Sequence, residues 1–259
     1  MDANELFREG QLQPAIDAQL QAVRENPGDP DRRLFLFELA AFAGDLDRAR
    51  KQIDLLKFDQ PELEAAVQMY RGCLDAEQMR REVFAGKKLP AVLGDDSDQV
   101  AARLKALGEL AAGRPAEAAK LLAENEPPSV TGTLNGHSCT GMRDGDDLLG
   151  DVLEVFGQGR YFWVPLGQIE SLQANEPKFP RDLLWLPARL VTRAGPAGDV
   201  FLPTLYFGSH SHADDAIKLG RASDWSDPEA GPVRGIGAKT FLAGEDAIGL
   251  LEFRELVIG

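Results

Sequence analysis

Imidazole and carboxylate groups crowd closest together in Gly208-Ser-His-Ser-His-Ala-Asp-Asp215, which holds two of the three histidines and two adjacent acids. His210 and His212 are two residues apart, so on a strand both rings would leave the same face. They could then chelate a metal, with Asp214 or Asp215 supplying oxygen. The same groups could also move protons. A metal centre needs three or four convergent ligands, however, and His137 lies far upstream. A plainer reading fits the same letters. Ser211-His-Ala-Asp214 has the Ser-x-x-acid form of a capping box. Asp214 and Asp215 would fall in a first helical turn, where negative charge is favoured. Ala216, Ile217 and Leu219 then continue a helix from about Ala213 to Leu219. The expectation is a strand-to-helix loop, with a metal-dependent enzyme centred on His210 and His212 as the alternative.

Other stretches with chemical potential are thinner. Gly235-Ile-Gly-Ala-Lys-Thr240 faintly resembles a phosphate-binding loop, but it lacks the spacing, and strand-like residues follow where a helix should begin. No nucleophile elbow and no His-Glu-x-x-His occurs. Cys73 and Cys139 are the only cysteines, with no Cys-x-x-Cys, so a structural zinc site is unsupported and two small thiols, buried or half-buried, are expected. Asp95-Asp96-Ser-Asp98 reads as a loop and helix N-cap. No catalytic, cofactor-binding or metal-ligating residue is assigned, and no residue is singled out for partner contact.

The elements that would position these groups fall into two halves. Gly10-Gln-Leu-Gln-Pro-Ala15, Gly44-Asp-Leu-Asp-Arg-Ala49 and Gly113-Arg-Pro-Ala-Glu-Ala118 align. The first two glycines are 34 residues apart, each followed 17 residues later by a proline, Pro27 and Pro61, and the third lies 69 residues beyond the second. Thirty-four residues is the tetratricopeptide period. Glycine suits the turn between paired helices, the alanine lets them approach, and the proline closes one helix and opens the next. Apolar residues recur at helical intervals, as in Ile16, Leu20 and Val23, and seven helices are expected in an all-α tetratricopeptide-like domain, residues 1–128.

After Pro127-Pro128 the period changes. Short β-branched and aromatic runs follow, among them Leu148–Phe156, Tyr161–Leu166, Leu183–Val191, Val200–Phe207 and Leu250–Ile258, separated by Gly-rich turns. Six or seven strands are expected in a β-rich domain, residues 129–259, forming a curved antiparallel sheet or barrel with one helix. Pro165, Pro187 and Pro203 suit edges or bends. Trp163, Trp185 and Trp225 read as core aromatics, or alternatively as exposed partner anchors. The fold class is α+β.

Composition limits the partners. The net charge of −14 is spread evenly, with 17 basic and 24 acidic residues in 1–130 and 11 and 18 in the remainder. Such a chain is repelled by phosphate backbones and anionic lipid, so neither nucleic acid nor a membrane surface is expected. The opening Met-Asp-Ala-Asn-Glu lacks the apolar stretch of a signal peptide. The longest near-apolar run, Leu39–Gly44 with Leu-Phe-Leu-Phe-Glu before it, is interrupted by Glu38 and is far short of a membrane span.

Four stretches carry a family resemblance: "GRYFWVPLGQIESL" (Gly159–Leu172), "RDLLWLPARL" (Arg181–Leu190), "LPTLYFGS" (Leu202–Ser209) and "DDAIKLGRASDW" (Asp214–Trp225). With the opening Arg8–Arg33, they resemble the ImpE family, also called TagJ or SciE-type proteins, of bacterial type VI secretion, over nearly the whole chain. The resemblance implies a cytoplasmic accessory protein, not an enzyme, without cofactors. It implies binding to the small, TssB-like subunit of the contractile sheath, and through that contact a bearing on sheath disassembly by the associated AAA+ ATPase. His210 and His212 depart from the family pattern, and the resemblance assigns them no chemistry. A passive assembly scaffold stands as a further alternative.

Overall fold

Each repeat glycine sits where the backbone must turn left-handed: φ is +83° at Gly10, +72° at Gly44 and +73° at Gly113. The computed structural model describes residues 1–94, 98–126, 129–195 and 197–259. Among these, the first half holds seven helices, as expected. They are α1 (Ala3–Arg8), α2 (Leu12–Glu25), α3 (Pro30–Phe42), α4 (Leu46–Asp54), α5 (Pro61–Phe84), α6 (Asp98–Ala111) and α7 (Pro115–Ala123). The three glycines separate α1 from α2, α3 from α4 and α6 from α7. The alanines five residues on, Ala15, Ala49 and Ala118, are fully buried where paired helices meet. Pro61 and Pro115 open their helices, but Pro27 does not open α3. Pro30 does, behind Asp29, whose carboxylate accepts the amides of Asp31 and Arg32. The acidic run 95–97, the capping role of Asp98 and Pro127-Pro128 lie outside the described residues.

The second half contributes most of a nine-stranded sheet. The strands along the chain are β1 (Ala91–Val92), β2 (Thr131–Leu134), β3 (His137–Thr140), β4 (Arg143–Asp144), β5 (Val152–Gly157), β6 (Arg160–Pro165), β7 (Ile169–Ala174), β8 (Trp185–Thr192), β9 (Gly198–Pro203), β10 (Ser223–Trp225), β11 (Gly235–Gly237), β12 (Thr240–Ala243), β13 (Asp246–Gly249) and β14 (Glu255–Ile258). The large sheet runs β1-β6-β5-β9-β8-β7-β14-β2-β3, with β10-β11 and β13-β12-β4 as small satellites. It is open and mixed, not a barrel. β1 comes from the stretch after α5 and pairs parallel with β6 (Ala91↔Phe162), while the other pairings in this sheet are antiparallel. Thr131–Thr140, turn-like in composition, is a hairpin on Asn135-Gly136, whose φ values of +52° and +80° are those of a tight two-residue turn. Pro187 sits in an interior strand. Its carbonyl accepts Asn175 N–H just past the end of β7, so the donor it lacks is the next rung, where that ladder stops.

Strand alternation gives the sheet two apolar faces. Tyr161, Trp163, Phe156 and Trp185 face the helices, while Val155, Val164, Leu186 and Leu202 join Phe241, Phe253 and Leu256 in a second core behind. The first core is continuous with that of the helical half. Phe37 meets Trp185 at 6.1 Å, Tyr70 meets Phe201 at 5.5 Å, and Phe84 stacks on Phe207 at 4.4 Å. α3 is buried on all sides from Phe35 to Phe42, as a helix must be when helices cover one flank and a sheet the other. Trp163 and Trp185 are core residues. Trp225 is 38% exposed and meets Tyr206 edge-on. Among the described residues, no helix is long and apolar enough to cross a membrane.

Candidate functional site

Gly208–Asp215 is a joint between the two halves. Gly208, at φ +92°, leads into a single tight turn, Ser209–Ser211. His210 then packs onto the repeat turn at Gly44, where a Cβ on that glycine would stand 2.2 Å from the imidazole Cδ2. Arg81 donates to the Gly44 carbonyl at 2.9 Å. The helix that follows, α8 (Asp215–Lys218), is shorter than expected and is not capped by Ser211. Ser211 is spent in the tight turn and His212 is extended, so Asp214 becomes the cap, accepting Ala216 N–H at 2.8 Å. Asp215 serves a different helix. Its Oδ2 accepts the amide of Leu12, the first residue of α2, at 2.9 Å, while Gln11 supplies no side-chain cap there. Arg221 completes the clamp by donating to the carbonyls of Phe7 and Arg8 at the end of α1, beside Gly10.

The two imidazoles are not brought together as ligands. His210 faces Gly44, and His212 Nδ1 accepts Asp214 N–H at 3.0 Å. No group of three His, Cys, Asp or Glu side chains converges among the described residues. Burial first, then the charges of Arg81 and Arg80, pull the His210 pKa from 6.5 down to about 4. The unfolded chain therefore takes up this proton before the folded protein does. The linked stability is complete above pH 6.5 and is lost as pH falls towards 4. Replacing His210 with Gln is expected to flatten the fall of the urea midpoint across that window. Parallel slopes in both proteins would show that this imidazole is not the sensor.

A second constellation escaped sequence reasoning. Arg80 on α5 holds Glu154 on β5 with two hydrogen bonds, Nε to Oε1 at 2.7 Å and Nη2 to Oε2 at 2.8 Å, and also donates to the Leu205 carbonyl. Tyr161 donates to the same carboxylate, and Trp163 Nε1 donates to the Tyr161 hydroxyl at 2.6 Å. Lys239 makes a close ion pair with Glu154, and its Nζ lies 3.7 Å from Asp144 Oδ2. Tyr206 donates to Asp144 Oδ1 at 2.7 Å. Burial pushes the Asp144 pKa up to about 7 against the pull of Lys239. Burial acts the same way on Glu154, but Arg80 and Lys239 overcome it and draw the carboxyl down to about 2. The adjoining cavity, beside Arg80 and Tyr206, is only ≈ 40 Å³, which is room for water. The network joins helix to sheet, and its charges have their counter-ions inside it. Its signal was Glu154 within Val-Leu-Glu-Val-Phe, a charge on the same strand face as Val152 and Phe156. Lys239 of the loop-like Gly235–Thr240 stretch points into this network, between two strands. Cys73 is buried, with its thiol pKa raised by burial, and Cys139 is half-buried; both are free.

Three surface clefts are larger. One of about 760 Å³ lies between α1, α2, α3 and the turn at Phe179–Arg181. Another of about 710 Å³ runs between α5 and strands β5, β8 and β9. The third, about 640 Å³, separates α6 and α7 from residues 141–151. The inner flank of the repeat array, α3 and α5, is already covered by the sheet through Phe37, Tyr70 and Arg80.

Comparison with known proteins agrees with this architecture. Residues 136–257 match the family model described as ImpE protein. A type VI secretion system accessory component, TagJ of Pseudomonas aeruginosa, is 38% identical over 263 aligned positions, covering 99% of this chain and 90% of TagJ. The crystal structure of protein VPA1032 from Vibrio parahaemolyticus superposes with a TM-score of 0.89 at 26% identity, covering 99% of this chain and 97% of that one.

Proposed function

Because the chain belongs to the ImpE/TagJ family, whose TagJ member is a type VI secretion accessory component, we propose that it is a non-catalytic adaptor of that system, working in the cytoplasm. Its partner in this reading is the small, TssB-like subunit of the contractile sheath, and the contact bears on how the AAA+ ATPase takes the sheath apart. The observation that carries the reading is the likeness to TagJ along almost the entire chain, both halves included. The physical design is consistent with it. The helical repeats and the sheet share one core, and a segment clamps the repeat turns at Gly10 and Gly44, so the protein can present a fixed surface. The ionisable cluster that most resembles an active site is sealed inside that joint. A net charge of −14 favours protein ligands over nucleic acid.

Titrating the purified full chain with purified small sheath subunit by calorimetry tests the proposal. A saturable complex is expected. No heat and no co-elution, with both proteins folded, would remove it. Competition by short peptides of the subunit separates an adaptor that grips a segment from a scaffold that only braces an assembly, since the scaffold would ignore isolated peptides.

A further inference from the structure

The five asparagines precede Glu5, Pro27, Glu126, Gly136 and Glu176, so Asn135-Gly136 is the chain's single Asn-Gly pair. An asparagine amide is open to attack by the backbone nitrogen that follows it, because closure makes a five-membered ring. Glycine eases that closure, since it has no side chain to shield its nitrogen or restrict its dihedrals. Both residues are exposed at the tip of the β2–β3 hairpin, so water and hydroxide reach them. A Cβ on Gly136 would meet nothing within 4 Å, and the Gly136 N–H donates no hydrogen bond among the described residues. The attacking nitrogen is therefore free, but the amide it would attack is held. Asn135 Nδ2 donates to the Glu252 carbonyl at 2.9 Å, and Oδ1 accepts the amides of Arg254 at 2.8 Å and Glu255 at 3.2 Å. The backbone N–H of Asn135 donates to the Glu255 carbonyl at 2.7 Å. These contacts tie the hairpin tip to the start of β14, whose Leu256 pairs with Leu134.

We propose that Asn135 is a deamidation site, and that its side-chain hydrogen bonds to residues 252–255 are the lock that keeps it unreacted in the folded protein. In the first step the Gly136 nitrogen gives its proton to hydroxide and bonds to Asn135 Cγ. The amide nitrogen takes up a proton from water and leaves as ammonia, and a succinimide remains. Water then opens that ring. Cleavage of the bond between nitrogen and Cγ gives aspartate, and cleavage of the bond between nitrogen and the main-chain carbonyl gives isoaspartate. For Cγ to meet the Gly136 nitrogen, the amide must swing off residues 252–255 and give up its bonds there, so reaction proceeds from an opened tip. Either product breaks the lock. Aspartate puts a carboxylate oxygen where Nδ2–H faced the Glu252 carbonyl, so attraction becomes repulsion. Isoaspartate also lengthens the main chain by a methylene, which a two-residue turn does not accommodate. The tip then loses its hold on β14, and β3, which reaches the sheet only through β2, loosens with it.

The test incubates the purified full chain in mildly alkaline buffer, once folded and once in denaturing guanidinium chloride. Peptide mapping by mass spectrometry follows the amide-to-acid conversion, with chromatographic separation of the aspartyl and isoaspartyl forms. In the unfolded chain Asn135 is expected to convert well ahead of Asn4, Asn125 and Asn175, each followed by glutamate. In the folded chain it is expected to convert about tenfold or more slowly. An unfolded chain in which Asn135 converts no faster than those three would overturn the site. Equal rates at Asn135 in the two states would overturn the lock. Asn135→Asp, made directly, reads the consequence without the chemistry. Amide hydrogen exchange over residues 131–140 is expected to quicken by about tenfold, while α3 and α5 exchange as in the wild type. Unchanged exchange over 131–140 in that variant would show that the Asn135 amide does not hold the hairpin.

Discussion

Replacing Glu154 with Gln is expected to lower the unfolding free energy by about 3–5 kcal/mol, a large part of the roughly 5–15 kcal/mol that holds a domain folded. The amide fills the same volume, so the loss is electrostatic. Arg80 and Lys239 would keep their charges in a site almost without solvent, and the remaining nearby acids are Glu77, 3.5 Å from Arg80, and Asp144, whose pKa near 7 leaves it only partly ionised at neutral pH. Urea unfolding followed by tryptophan fluorescence reads the change, since Trp163 lies one hydrogen bond from the network. Removing one cation as well, in Glu154→Gln/Lys239→Met, should recover part of the loss because fewer charges are stranded. A midpoint shift worth less than about 1 kcal/mol in the single variant would mean that the network does not fasten α5 to the sheet.

Gly44→Ala is expected to cost about 3 kcal/mol, from two sources. A left-handed φ of +72° strains any residue with a Cβ, and the new methyl would meet the His210 ring 2.2 Å away, so the joint between the halves must shift. In a His210→Ala background the ring contacts disappear and only the 2.9 Å approach of the residue-210 Cβ remains, so the cost should fall towards the roughly 1–2 kcal/mol of backbone strain. The four proteins form a double-mutant cycle in urea. Strict additivity would show that the imidazole yields freely and does not lock the repeat turn.

The parts of the fold that were legible in the sequence are those governed by local rules. Gly10, Gly44 and Gly113 announced their turns because left-handed backbone is a property of single residues, and Ala15, Ala49 and Ala118 followed from helix pairing. Strands with apolar alternation, such as those around Phe156, Trp163 and Leu186, were visible for the same reason. The short polar strands were not: Thr131–Thr140 has turn composition throughout, although Asn135-Gly136 is a hairpin signal in its own right. β1 is invisible in principle from local pattern, since two residues gain their strand identity only from β6. The roles of Asp215 and His210 depend on partners far away in the chain, 203 residues for Asp215 and 210 − 44 = 166 for His210, so their neighbours suggested a metal or a local cap while their contacts are with Leu12 and Gly44. The cleft between α1, α2, α3 and the Phe179–Arg181 turn, likewise, is assembled from both halves, and no stretch of sequence contains it.

The position of β14 bears on how the protein is made. Leu256 pairs with Leu172 on one side and Leu134 on the other, so the hairpin translated first in this half reaches the sheet only through one of the last strands. A nascent chain can form its repeat helices early from local contacts, but Phe37, Tyr70 and Phe84 then wait in water for Trp185, Phe201 and Phe207 to leave the ribosome. Completion is slower still, because the β2–β3 hairpin has no seat until residue 258 has emerged. The helical array thus carries an uncovered apolar face from the synthesis of Phe84 until that of Phe207, the stage at which the growing chain is expected to be most prone to aggregate.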